Sequence, residues 1–150
     1  MGGGPLYLVD GGHVHRAFMH VDDANTAFQA LLDNREKSRN EIYNLGNPDN
    51  NLTIRELAIL MRELYEEITG VKSTSELVEV TGEEFYGEGY EDADRLVPDT
   101  RKIRSLGWSP RHDLRATFRG AMEEYLRHPE QIAGLITPVV RTLRTGTGGQ

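Results

Sequence analysis

Two short stretches of this chain hold side chains whose types and spacing could do chemistry. In the first, Arg16 follows the glycine turn Asp10-Gly11-Gly12 and precedes Phe18, His20, Val21 and Asp23. A guanidinium fixed beside a turn donates two parallel hydrogen bonds to phosphate oxygens while its charge offsets theirs, which a lysine does less well. The plainer alternative is a surface arginine bonded to Asp22 or Asp23. In the second, residues 84–92 read Glu-Phe-Tyr-Gly-Glu-Gly-Tyr-Glu-Asp, with three aromatics, two glycines and four carboxylates in nine positions. No periodic core packing asks for that mixture, so the stretch reads as a site loop.

Other chemistries are poorly served. Five histidines stand at 13, 15, 20, 112 and 128. His13-x-His15 could set two imidazoles on one face of an extended segment, but no carboxylate at fixed spacing completes a ligand set, so no metal site is expected. The serine-nucleophile pattern G-x-S-x-G and the P-loop pattern are absent. Gly2-Gly3-Gly4 has no strand before it and no helix after it, so it is not a dinucleotide fingerprint. The sequence thus nominates no catalytic, cofactor-binding or metal residue.

Bulk properties narrow the field further. A length of 150 residues suits one compact unit with its own core. A net charge of -7, from 24 acidic and 17 basic residues, argues against non-specific nucleic-acid binding, which draws on cationic neutralisation of phosphates. Any phosphate must therefore be held locally. The lack of cysteine excludes disulfide scaffolds, thiol nucleophiles and Cys-type zinc sites. No apolar run approaches the roughly 20 residues of a membrane span, and Met1 is followed by glycines rather than by a basic and apolar leader. The expectation is a cytoplasmic protein.

The elements that must position these residues alternate between strand and helix. Residues 6–9 form an apolar strand running into the glycine turn. Asp22 or Asp23 can cap a helix with Ala24, Ala27, Phe28, Leu31 and Leu32 at helical spacing, ending near Asp33. Residues 34–40 read as a loop and residues 42–45 as a strand before the turn 46–50. The spacing predicts a helix over 54–68, opened by the capping box Thr53/Glu56 and closed at Gly70. Residues 77–80 make a weak strand, and 84–92 has neither period. Pro98 and Asp99 begin a short helix through Ile103 to Leu106, ended by Gly107 with Trp108 packing below it. Asp113 caps a last helix whose inner stripe is Leu114, Phe118, Ala121, Met122 and Tyr125, ending at His128-Pro129. No internal repeat is visible, and residues 131–150 read as a mobile tail to a unit spanning 5–130.

The order Asp10-Gly11-Gly12-x-x-x-Arg16-x-Phe18-x-His20-Val21-x-Asp23 resembles the motif with which extended short-chain dehydrogenases/reductases grip the diphosphate of a nucleotide sugar. Ile42-Tyr43-Asn44-Leu45-Gly46-Asn47-Pro48 is similar to a late strand and turn of that family. Lys102-Ile103-Arg104-x-Leu106-Gly107-Trp108-x-Pro110 is similar to a helix and turn near its C-terminus. Residues 84–92, followed by Arg95 and Pro98-Asp99, resemble the sugar-binding loop of the branch holding UDP-glucuronate decarboxylases and UDP-apiose/UDP-xylose synthases. The resemblance covers about residues 5–127. It implies an α/β chain corresponding to the C-terminal substrate-binding portion of an extended short-chain dehydrogenase/reductase, without most of the Rossmann sheet.

The same resemblance implies that Arg16, Tyr90, Asp92 and Arg95 bind a UDP-sugar. An aromatic beside a carboxylate suits a sugar or base, offering one flat apolar face and one acceptor for hydroxyls. In the alternative reading Tyr90 anchors the loop against the last helix, and Asp92 partners Arg95 or Arg101. Two departures stand out. Members of the branch carry an arginine two residues before the proline, where this chain has Leu96 and the arginine is Arg95. The family's Tyr-x-x-x-Lys pair is also absent, since Tyr7, Tyr43, Tyr65, Tyr86, Tyr90 and Tyr125 are followed four residues on by Gly11, Asn47, Thr69, Tyr90, Asp94 and Pro129.

A complete enzyme of this kind uses NAD, so the expectation is a fragment that is inactive alone and whose partner is the missing Rossmann portion. Exposed sheet edges would otherwise favour self-association. A nucleotide-sugar-binding module without catalysis, or a non-catalytic interaction protein, is the alternative.

Overall fold

A computed structural model describes residues 4–129, so the expectation of a mobile tail over 131–150 lies outside the described residues. The first strand, β1 (Leu6–Val9), runs into a tight turn at Asp10–Gly12 and then into β2 (His15–Ala17). Gly11 and Gly12 both sit at positive φ, 75° and 68°, and Gly12 lies so close to the Arg55 backbone nitrogen that a Cβ would stand 3.0 Å from it. Glycine is therefore needed for conformation and for close approach.

Helix α1 (Val21–Asp33) is capped by His20 instead of by an aspartate, with the His20 ring nitrogen Nδ1 accepting from the Asp22 amide at 3.1 Å. Its inner face is also rotated from the expected one. Ala27, Ala30 and Leu31 pack with Ile103 and Trp108, while Val21, Phe28 and Leu32 form an outer apolar stripe that stays exposed among the described residues. The polar stretch expected to be a loop contains one helical turn, α2 (Arg35–Ser38).

Residues 42–45 are not a strand, because no other described strand lies alongside to complete a ladder. Their burial still alternates with period two. Tyr43 and Leu45 pack on the Ile103–Trp108 cluster, whereas Ile42 is 86% exposed. The stretch is held by side chains instead: Lys102 Nζ donates to the Ile42 carbonyl at 3.0 Å, and its ammonium stands 4.7 Å from the centre of the Tyr43 ring.

Strand β3 (Asn51–Thr53) feeds α3 (Ile54–Thr69), where the Thr53/Glu56 capping box forms and Gly70 adopts φ 69° at the C-cap, as the sequence predicts. Strand β4 (Leu77–Val80) then pairs parallel with β1, with Leu6 opposite Leu77 and Val9 opposite Val80. Short helix α4 (Gly82–Tyr86), the two-residue strand β5 (Arg95–Leu96), α5 (Arg101–Arg104) and α6 (Leu114–Arg127) complete the order.

The fold is α/β with two small sheets, β1–β4 and β3–β2–β5. Phe18, just after β2, meets Phe118 of α6 edge to face at 5.1 Å, tying the end of β2 to the last helix. Arg115 and Arg119 of α6 pair with Glu67 of α3, and Arg115 also with Glu63. These exposed pairs orient the two helices more than they stabilise them.

Candidate functional site

Arg16 is the centre of the middle strand of the β3–β2–β5 sheet, with Leu52 opposite it on one side and Leu96 on the other. The strand places its backbone; the segment before β5 supplies its partners. Arg16 Nη1 donates to the carbonyls of His15 at 2.8 Å and Ala93 at 2.9 Å, and Nη2 makes a short ion pair with Asp92 Oδ1. The Tyr90 phenol lies near the same Asp92 carboxylate. Desolvation, then the neighbouring Asp92 carboxylate, push the Tyr90 phenol above its ordinary value.

The Tyr90 ring is itself held at two places. One face stacks on Tyr86 at 4.2 Å, and Tyr86 in turn meets Phe85 edge-on at 4.8 Å. A Cβ on Gly82 would stand 2.7 Å from a Tyr90 ring carbon and 2.9 Å from Asp10 Oδ2. Gly82 also donates its amide to Asp10 Oδ1 at 2.9 Å. We therefore expect Gly82→Ala to displace Tyr90 and cost about 1–2 kcal/mol through overpacking, read by urea denaturation. An unchanged midpoint would mean that Tyr90 does not rest on Gly82.

Tyr90 thus anchors the loop on α4 rather than against the last helix. Residues 84–92 are also not uniformly a loop. Thr81 and Glu84 form a second capping box that opens α4, so Glu84 is a helix cap and Phe85 and Tyr86 are helical. The signal was in the sequence, since Thr81-x-x-Glu84 repeats the spacing of Thr53-x-x-Glu56.

Three of the four expected site residues, Arg16, Tyr90 and Asp92, come together. Arg95 does not join them. Parallel pairing sets Arg95 opposite His15 and Leu96 opposite Arg16, and successive residues of a strand point to opposite faces. Leu96, exposed and apolar, therefore shares the Arg16 face, while Arg95 lies on the other.

A second polar cluster escaped the sequence reading. Asp23, 1% exposed, accepts from the amides of Arg111 at 3.0 Å and His112 at 3.1 Å and from His112 Nδ1 at 2.9 Å. Burial pushes this carboxyl up, but the hydrogen bonds from His112 and Arg111 and the neighbouring imidazole outweigh it and leave it below its ordinary value. His20, Asp22 and His112 bring potential ligand atoms within 4.8 Å of one another. The two rings are stacked at 4.0 Å and 17°, however, so their in-plane lone pairs run side by side and do not converge. Asp23 already holds His112 Nδ1. The cluster is explained by packing and hydrogen bonding.

The elements and their order are those of the C-terminal portion of an extended short-chain dehydrogenase/reductase, and comparison with known proteins agrees. The chain belongs to that family, also called the NAD-dependent epimerase/dehydratase family. It is 44% identical over 112 residues to UDP-D-apiose/UDP-D-xylose synthase 1 of Arabidopsis thaliana, a match covering 73% of this chain and 29% of that protein. The corresponding synthase of Oryza sativa subsp. japonica is 40% identical over 113 residues, covering 74% of this chain and 28% of the relative.

Among solved structures, the PbgP3 protein of Burkholderia pseudomallei superposes with a TM-score of 0.73 at 32% identity, over 89% of this chain and 38% of that one. The dTDP-glucose 4,6-dehydratase of Bacillus anthracis, solved with NAD, shares the fold with a TM-score of 0.66 at 22% identity, over 85% of this chain and 36% of that one. The chain thus spans under a third of the length of its curated relatives. No family model matches it. No helix among the described residues is long and apolar enough to cross a membrane.

Proposed function

We propose that this chain is the substrate-binding portion of an NAD-dependent nucleotide-sugar decarboxylase or epimerase, acting on a UDP-sugar of the UDP-glucuronate kind. The observation that carries the reading is Arg16, fixed on a central strand and reached by Asp92 from a separate segment that also carries Tyr90, in a chain 44% identical to a UDP-apiose/UDP-xylose synthase. Arg16 would hold the diphosphate. Tyr90 and Asp92 would line the pocket beside it, with Leu96 offering an apolar contact on the same face.

After β1 the turn Asp10–Gly12 leads into β2, so no helix N-terminus follows it to receive a pyrophosphate. No tyrosine is followed four residues later by a lysine. NAD binding and hydride transfer would therefore belong to residues outside those described, and the partner of this chain would be the portion carrying them.

Calorimetric titration of the 150-residue chain with UDP-glucuronate tests the reading. Binding is expected, and Arg16→Ala should weaken it about 30-fold or more, roughly 2 kcal/mol or above, because hydrogen bonds to charged groups are among the strong ones. No heat with either protein would sink the proposal. Equal affinity of both would remove Arg16 from it.

A further inference from the structure

Arg16 is heavily engaged within the chain itself. Three of its five N–H donors are committed, to the carbonyls of His15 and Ala93 and to the Asp92 carboxylate. Two of these three bonds come from residues 87–94, a segment that carries Glu88, Glu91, Asp92 and Asp94 and no basic residue. All four carboxylates are exposed. A diphosphate approaching Arg16 would meet a carboxylate in direct contact with the cation it needs, and like charges at that range repel.

The segment is lightly held at its start. Gly87 and Gly89 adopt φ 101° and 81°, and a Cβ at either would touch nothing within 4 Å. The turn is closed by one long bond, from the Tyr90 amide to the Gly87 carbonyl at 3.4 Å. Firm attachment returns at the far end, where His15 donates its amide to the Asp94 carbonyl at 2.8 Å as β5 begins. Between these points, Asp92 and Ala93 are tied to β2 through the Arg16 side chain.

We propose that Asp92 stands in for a phosphate oxygen on Arg16, and that a nucleoside diphosphate binds by exchanging with it and releasing residues 91–93 from β2. The inference rests on the reading of Arg16 as a diphosphate contact. It differs from that reading in the part given to Asp92, which becomes a competitor of the ligand and not a contact for it. Tyr90, anchored independently on Tyr86 and Gly82, keeps the segment in place while the exchange occurs. The pair thereby screens ligands by charge, because only an anion that engages the guanidinium better than one carboxylate displaces it.

Asp92→Asn keeps the shape and removes the competing charge. It should bind UDP about 5- to 10-fold more tightly than the unaltered chain, since the competent state no longer has to be freed. Cleavage after Glu91 by a glutamate-specific protease supplies the second measurement. It should be faster in ligand-free Asp92→Asn than in the unaltered chain, and UDP should speed it in the unaltered chain. Tighter UDP binding by the unaltered chain than by Asp92→Asn, equal binding, or slower cleavage after Glu91 on adding UDP would overturn the displacement of Asp92 while leaving the diphosphate reading intact. Absence of UDP binding by both proteins would overturn the two together.

Discussion

Asp23→Ala is expected to lower the unfolding free energy by about 3 kcal/mol, because it strips three hydrogen bonds from a buried carboxylate and leaves the Arg111 and His112 donors without their acceptor. The bonds span 88 and 89 residues of sequence, so the loss also unties α1 from the segment that enters α6. Asp23→Asn, which keeps the volume and one good acceptor, should cost about half as much. Urea denaturation monitored by circular dichroism measures both. A loss below about 1 kcal/mol for the alanine variant would show that water replaces the carboxylate at little cost.

The same residue makes stability depend on pH. Its carboxyl is held below the unfolded value of 3.8, so its contribution is fully present above that value. As pH falls below it and through the folded value, the unfolded chain binds the proton more readily and the contribution is lost. Unaltered protein should therefore lose stability below about pH 4 more steeply than Asp23→Ala, the two curves converging in acid.

Trp108→Ala should be at least as damaging, at about 3–5 kcal/mol, the range for truncating a buried aromatic. The indole packs with Ala27 and Ile103, is 5% exposed, and donates Nε1–H to Thr26 Oγ1 at 3.1 Å. Most of the loss is the cavity, since the surrounding Met19, Leu31, Tyr43, Leu45 and Leu106 come from separate segments that cannot all collapse inward. Trp108→Phe tests the partition, because it refills much of the volume and forfeits only the hydrogen bond and the second ring. It should recover more than half of the stability in urea denaturation. Recovery of almost nothing would place the weight on the Thr26 bond.

How much was legible beforehand followed the range of the forces involved. Helix α3 was read almost to the residue because its signals are local: a capping box, a 3.6-residue period and a glycine at the C-cap. Helix α4 carries the same capping box, but it is only five residues long, and the tyrosines and glycines beside it have the composition of a loop. Strands β2, β3 and β5 have two or three residues each, too short for a period to show, and they exist because they find one another. Residues 42–45 show the converse. They have strand-like burial but find no pairing strand among the described residues.

The site divides along the same line. Sequence alone singled out Arg16 and residues 84–92, because a guanidinium after a glycine turn and a crowd of aromatics and carboxylates are matters of residue type and near spacing, and because their order resembles one family. Only the tertiary structure decided which of those groups meet. Arg16 and Asp92 are 76 residues apart in the chain and touch because β5 pairs with β2. The same register puts Leu96 beside Arg16 and turns Arg95 away. Pairing between distant segments is set by backbone hydrogen bonds and the packing of the whole, which no local run of residues contains.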